Sequence, residues 1–368
     1  MRIRFIFTFF CILLYSGINE INAQILKDTS ALPVIIKAVD FIYDFQFENA
    51  KSVCKEISIS YPGHPVNTIL KGMIKYWENY PLLLSSTARI EYEEHLRSCI
   101  QLCEKNYDQT DDPEYLLINL CARGLLLLFY SDNDLSSQVF PLATSTYPFI
   151  RDSFKVTSSY SDFYFFTGLY NYYREAYPEA HPIYKPLAIL FPKGDMAKGL
   201  SELNLAGQYS IFLKAESYSF LSWIFANFEN DLQQSVNHCK TLHNLYPGNI
   251  QYKAVYIKNL LLLKEYDEAE KLISSSIQGK SNAYYSVQLT IFKGILQEKK
   301  HHNPELAKQY YEKGIKDIIP FCAYGNDYAA YAYFGLHRLT ENDADSKKKN
   351  YRKMAMELSE FRRDDFSN

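Results

Sequence analysis

Residues 217–249 read SYSFLSWIFANFENDLQQSVNHCKTLHNLYPGN, and residues 250–278 continue with IQYKAVYIKNLLLLKEYDEAEKLISSSIQ. Each part contains an apolar helix, a short polar break and a second helix that begins near a small residue. These small residues are Ser235 and Ala269, which are 34 positions apart. A helix–turn–helix unit of this period buries its apolar face by stacking on its neighbours. The spacing therefore predicts an all-α chain, built as a solenoid of antiparallel helix pairs.

The same arrangement occurs near the start, in DFIYDFQFENAKSVCKEISISYPGHP at residues 40–65. Ala50 is followed 12 residues later by Pro62, as Ser235 is followed 12 residues later by Pro247. Small side chains let two helices approach closely, and proline cannot continue a helix, so it marks where the second helix ends.

These residues resemble the tetratricopeptide-repeat family. The positions that match its pattern of small, aromatic and proline residues are Ala38, Phe41, Phe47, Ala50 and Pro62. Trp223 and Ile257 depart from the pattern, because the family has a small residue at that place in the first helix. The resemblance implies an α–α superhelix with a concave face, lined by the first helix of each pair, that binds a protein partner.

The chain divides into four predicted parts. Residues 24–81 form repeat-like helices, 82–214 form an irregular region of longer helices, and 215–368 form further repeats with a capping helix. The capping helix is indicated by an apolar stripe, Tyr351, Met354, Leu358 and Phe361. Four prolines between Tyr177 and Lys193 predict an ordered surface loop, since proline disrupts a helix interior.

The fourth part is residues 1–23, which have the order of a secretory signal peptide. Arg2 and Arg4 precede the apolar run FIFTFFCILLY at residues 5–15, and cleavage is expected after Ala23. We therefore expect a protein exported to the periplasm or outer cell envelope of a Gram-negative bacterium. No later run reaches the length of a membrane span, so no transmembrane segment is expected in the mature chain. Buried free thiols are expected for most of the remaining cysteines.

Composition and motifs bound the function. The net charge of −3 lacks the basic excess that nucleic-acid binding requires. His95, Cys99 and Cys103 share one helix face, but the outer two lie roughly 12 Å apart along a helix and cannot share one zinc ion. We expect no metal, no cofactor and no catalytic residue. Glu91, Glu93 and Glu94 leave an all-helical hydrolase as a third reading.

The concave face supplies the candidate binding residues. They are Ile35, Val39, Tyr43, Phe220, Ile224, Asn227, Phe228 and Lys258. A groove this apolar receives a helix of a partner, or it is filled by the protein's own chain. The leading interpretation is a non-enzymatic exported scaffold for protein–protein interaction. The alternative is a glycan-binding protein of the cell envelope, since exposed Tyr and Trp stack on sugars and some outer-membrane glycan-capture proteins use similar helices.

Overall fold

The computed structural model describes residues 24–110, 112–276, 282–341, 346–359 and 366. Every regular secondary-structure element among these residues is a helix, which confirms the all-α prediction. In chain order the α-helices are α1 (Ala31–Tyr43), α2 (Phe47–Ser60), α3 (Val66–Glu78), α4 (Ala88–Thr110), α5 (Pro113–Asp132), α6 (Ser136–Ser153), α7 (Phe163–Ala180), α8 (Lys185–Ala188), α9 (Met196–Tyr209), α10 (Lys214–Asn227), α11 (Leu232–Leu245), α12 (Ile250–Leu262), α13 (Tyr266–Ser276), α14 (Ala283–Lys299), α15 (Pro304–Ile318), α16 (Asn326–Arg338) and α17 (Ser346–Leu358). Short 3₁₀ helices span Pro182–Tyr184 and Ile319–Gly325.

Neighbouring helices pack in pairs along the chain, and the first helices of successive pairs also touch. Such contacts join α1 to α3, α3 to α5, α12 to α14 and α14 to α16. We call these first helices, together with α7 and α10, the inner helices. Inner helices are buried on most sides, whereas their partners bury one stripe: on α13 only Ala269 and Ile273 are buried. A stack of helix pairs has this asymmetry because the inner helices meet neighbours on more sides.

Side-chain caps explain why several predicted boundaries are correct to the residue. The Asn282 side chain accepts a hydrogen bond from the Tyr285 N–H at 3.0 Å, and Asn303 accepts one from the Leu306 N–H at 3.1 Å. These caps satisfy amide donors that a helix leaves unpaired in its first turn. The sequence pattern predicts helices over 283–299 and 304–318, and α14 and α15 begin directly after these two capping residues, as predicted.

Two proline predictions were wrong. The helix α7 continues through Pro178 to Ala180. The sequence pattern predicts a helix over 135–147 that ends before Pro148, but α6 continues through Pro148 to Ser153. A proline beyond the first turn removes one helix hydrogen bond and crowds the carbonyl four residues earlier, and packing against neighbouring helices offsets this cost. The predicted loop therefore begins at His181 and contains a 3₁₀ turn and the single turn α8.

The predicted register within α10 was also wrong by one residue. Ser222, not Trp223, faces the second helix of the pair: its Oγ lies 3.0 Å from Ser235 Oγ and 2.7 Å from Cys239 Sγ. Asn259 from the next inner helix joins this group through Ser235 Oγ at 2.9 Å. Every hydroxyl in this buried group therefore has a partner, which removes the penalty of burying it. The Trp223 ring points the other way, toward α7.

The end of the first helix, α1, contacts residues about two hundred positions later in the sequence. Asn249 Nδ2 donates to the Tyr43 carbonyl at 2.9 Å, and the Gly248 N–H donates to Asp44 Oδ1 at 2.7 Å. The Tyr43 ring lies 5.5 Å from that of Tyr246. We call this contact between α1 and the α11–α12 turn the closure contact. This contact joins residues of the predicted part 24–81 to residues of the predicted part 215–368. The division of the chain into four parts stays a prediction.

Helix α5 lies at the centre and is apolar enough to span a membrane by length and composition alone, the one helix of the described ranges that is. However, 78% of its most apolar window is buried inside the protein. It also buries two charged side chains: Glu114 contacts His64 Nε2 at 2.9 Å, and Arg123 donates to Glu104 at 2.5 Å. A core helix of a soluble protein has the same properties, so this is weak support for a membrane span.

The last helix, α17, packs against α16. The Tyr351 ring lies 6.2 Å from that of Tyr333, and Leu358 packs with Ala330 and Phe334. These contacts use the predicted apolar stripe, of which Phe361 lies outside the described residues.

Candidate functional site

Five of the eight predicted groove residues are buried. Ile35 and Ile224 have no exposed surface, Val39 and Tyr43 have 2% or less, and Asn227 has 9%. Phe220, Phe228 and Lys258 are partly exposed. Of these eight residues, a partner could therefore contact only Phe220, Phe228 and Lys258.

Tyr43 is buried by the closure contact and by further contacts with the start of α10. The Tyr43 hydroxyl donates to the Phe212 carbonyl at 3.2 Å and to a carboxylate oxygen of Glu216, both next to the start of α10. The Trp77 ring lies 5.5 Å from that of Tyr252. Side chains of the first helices thus occupy the space beside α10 and α12. At Tyr43 the space beside α10 and α12 is occupied by the protein's own chain.

A second part of the inner face presents partly exposed aromatic rings. We call Tyr173 on α7, Phe220 and Trp223 on α10, and Phe228 just after it the aromatic shelf. Ring centroids are 5.3 Å apart for Trp223 and Phe228, 5.6 Å for Tyr173 and Phe228, and 6.2 Å for Tyr173 and Trp223. Each such pair adds roughly 0.5–1.5 kcal/mol beyond area burial, so the rings are held in place before any ligand arrives.

The sequence interpretation missed Tyr173 and Trp223 as site residues. Trp223 was assigned to the packing position between paired helices, and the one-residue shift of register sends its ring to the shelf instead. Tyr173 lies in the middle region, where the 34-residue period is lost, so no repeat register could place it. The clustering of tyrosines in LYNYYREAY at 169–177 is the only sequence signal for it.

Polar groups edge the aromatic shelf. Asn227 Nδ2 donates to the Trp223 carbonyl at 3.0 Å, which fixes the end of α10. Glu229, which is exposed, accepts a hydrogen bond of 2.5 Å from the Tyr172 hydroxyl. A cluster of inclined aromatic rings with a polar rim can bury an apolar side chain of a partner, and a single ring can stack on a sugar.

Three buried carboxyl groups support the surrounding framework. Burial raises the pKa of Glu216 to about 7, the pKa of Asp132 to about 7 and the pKa of Asp162 to about 6. Asp162 accepts hydrogen bonds from the N–H groups of Ile211, Phe212 and Leu213 at 2.7–3.1 Å, so it anchors the start of α10. The Glu216 Oε2 atom is buried without a hydrogen-bond partner among the described residues. Each of the three carboxyl groups accepts at least one hydrogen bond from another part of the chain.

Most residues considered for metal binding or catalysis pack in the core or pair with a neighbouring side chain in the described part of the chain. No group of three or more metal-ligating side chains occurs among the residues that the structure describes. Cys99 and Cys103 are fully buried, and of the six cysteines described only Cys322 is exposed. Glu91 pairs with Lys75 at 2.7 Å, and Glu93 accepts a hydrogen bond from the Tyr130 hydroxyl at 3.2 Å. The two carboxylates are thus directed to separate partners.

Comparison with known proteins identifies no relative. No family model matches the chain, and neither a curated protein nor a solved structure matches it.

Proposed function

We propose that the protein is a non-enzymatic, exported scaffold of the tetratricopeptide type, a superhelix of helix pairs that binds a protein partner on its inner helices. The single observation that supports this most is the aromatic shelf. It is a group of preordered, partly exposed rings on an inner face that is otherwise filled by the chain itself. Export follows from residues 1–23, which lie outside the described residues.

A protein partner suits this surface because aromatic side chains dominate the binding energy of protein interfaces. Phe220 and Phe228 would contact an apolar face of the partner, with Tyr173 and Trp223 beside them. Lys258, on the next inner helix, would meet an acidic side chain at the rim. An amphipathic helix supplies both features.

The experiment compares proteins captured by the purified chain with those captured by the Trp223→Ala and Phe228→Ser variants. Candidate partners are then purified and their dissociation constants measured directly. Tyr209→Ser is the matched control, since Tyr209 is an aromatic residue on α9 that is 64% exposed. We expect each shelf substitution to weaken binding at least about tenfold, as hot-spot residues do. A partner that binds wild type and both shelf variants equally would refute the assignment of this surface.

A glycan ligand is the second candidate, favoured by the partly exposed rings of Tyr173 and Trp223. Stacking on a sugar would change the emission of Trp223, one of two tryptophans in the chain. Titration with soluble glycans, using Trp223→Phe as the silent control, distinguishes this candidate from a protein partner. A saturable signal that this substitution removes would replace the leading proposal.

A further inference from the structure

The most exposed large apolar side chains of the described residues lie together in one short segment. Ile183 is 82% exposed, Ile189 is 79% exposed and Leu190 is 75% exposed. We call these three residues the apolar tip. They lie between α7 and α9, in the stretch that follows Pro178, and the aromatic shelf does not include them. Ile189 and Leu190 are consecutive, and Ile183 precedes them by six residues in the same segment, so one short stretch concentrates the most exposed apolar side chains.

The segment is held firmly at its base. The Phe191 carbonyl accepts hydrogen bonds from Arg174 Nε at 3.2 Å and Nη2 at 3.0 Å, and its ring lies 4.9 Å from that of Tyr147. The Pro192 carbonyl accepts the Tyr170 hydroxyl at 2.8 Å. The apolar tip is therefore presented by an anchored loop.

Gly194 completes this anchor. A Cβ atom at this position would lie 2.3 Å from the Asn171 carbonyl oxygen, so only glycine permits the close approach of loop and helix. The Gly194 N–H donates to Glu175 Oε1 at 2.9 Å. The loop thus leaves and rejoins the helical framework at fixed points.

The charges beside the apolar tip favour an anionic surface. Lys185 and Lys193 are both exposed, one within the segment and one at its end. Two of the nearby acids are engaged by protein groups: Glu175 by Arg174 at 3.2 Å and by the Gly194 N–H, and Asp195 by the first turn of α9. Glu179 on the adjoining turn of α7 and Asp195 are exposed, but residues 181–193 themselves contain two lysines and no acidic residue.

We propose that residues 181–193 dock on an anionic lipid surface, with the apolar tip entering the boundary of the acyl chains. Side chains exposed by 75% or more have few protein neighbours and therefore protrude. A protruding tip can be buried in a bilayer without a shape-matched cavity, which a protein partner would have to provide. Lysine ammonium groups beside it bind lipid phosphates at the depth of the headgroups. The protein would then be a peripheral membrane protein, which goes beyond the proposed partner binding.

The test measures binding to vesicles of phosphatidylcholine alone and of phosphatidylcholine with phosphatidylglycerol. The protein is purified after export, and its amino terminus is determined by mass spectrometry, because residues 5–15 are themselves apolar. The variant combines Ile189→Ser with Leu190→Ser, and a second variant combines Lys185→Gln with Lys193→Gln. Ile59→Ser is the matched control, since Ile59 on α2 is 72% exposed. Circular dichroism checks that all variants remain helical.

Wild type and Ile59→Ser should bind the anionic vesicles equally. The double serine variant should bind about a hundredfold more weakly, because burying each large aliphatic side chain is worth about tenfold. The lysine variant should lose the preference for anionic vesicles, and added salt should weaken wild-type binding. Equal binding by all variants, or no binding by wild type, would overturn the proposal. Dimers in sedimentation that the serine substitutions dissociate, without vesicle binding, would assign the tip to a second copy of the chain.

Discussion

Glu216 offers a quantitative test of how the closure contact is built. Its carboxylate accepts the Tyr43 hydroxyl, and its Oε2 atom is buried without a partner in the described part of the chain. Burial raises its pKa to about 7 from the ordinary value of 4.5. The folded protein therefore binds this proton more tightly than the unfolded chain does. The resulting stability is fully present below the ordinary pKa and is lost as the pH rises through the folded value.

The magnitude follows from the difference between the two pKa values. Lowering the pH from about 8 to about 5 should stabilise the wild type by about 2.5 kcal/mol through this group alone. Glu216→Gln has no proton to bind there, so its stability lacks this contribution. Any fixed cost of the introduced amide is the same at both pH values and cancels. The gap in stability between wild type and variant should thus change by about 2.5 kcal/mol.

The assay is hydrogen exchange measured by mass spectrometry, since a stack of helix pairs need not unfold in one step. Protection factors are corrected for the intrinsic exchange rate at each pH and compared for peptides covering 31–43 and 212–227. The ratio of wild-type to variant protection should rise roughly 50- to 100-fold on going from about pH 8 to about pH 5. Glu229→Gln is the matched control, because this exposed carboxylate also accepts a tyrosine hydroxyl. A ratio that stays constant between the two pH values would show that Glu216 does not titrate on opening.

Three further outcomes can be measured. Asn249→Ala removes both a helix cap and the donor to the Tyr43 carbonyl, and should reduce the free energy of opening of α1 by about 2–4 kcal/mol, observed as faster exchange there. Gly194→Ala should raise exchange across 181–193 by forcing the loop from its helix. Gly124→Ala is its control, because the added Cβ atom would lie 3.9 Å from the nearest atom, an ordinary contact distance. Equal changes in the exchange rates of the two variants would contradict this account. Expression in a Gram-negative host should yield a periplasmic protein beginning at Gln24, and an intact Met1 there would refute the signal peptide.

Local signals in the sequence predicted the elements of the fold well. The bounds of α14 and α15 were correct because Asn282, Asn303 and Pro304 fix helix starts through short-range chemistry. The predicted end of α7 was wrong, because the free-energy cost of Pro178 within the helix depends on tertiary packing, which a local sequence pattern does not show. The shift from Trp223 to Ser222 has a similar cause: both residues fit an apolar helix, and only the hydrogen bonds to Ser235 and Cys239 choose between them.

The candidate site was predicted less well than the fold. Phe220 and Phe228 remain partly accessible, but Tyr43 is covered by a contact between segments far apart in sequence. That contact depends on the accumulated rotation of many helix pairs, and small errors in each rotation add along the chain. A sequence pattern can therefore predict which residues line a groove, but it does not show whether those residues are accessible to a partner.

The closure contact also has a consequence for the order in which the protein assembles. Asn249 follows Tyr43 by 206 residues. At synthesis rates of roughly 5–20 residues per second, α1 emerges about 10–40 seconds before the turn that covers it. During that interval Tyr43 lacks the partners that cover it in the folded protein, and local helix pairing is complete long before the distant segments can meet. Folding therefore has a late step in which α1 meets the turn between α11 and α12, which is synthesised later. Molecular chaperones have their longest opportunity to act at the amino-terminal helices.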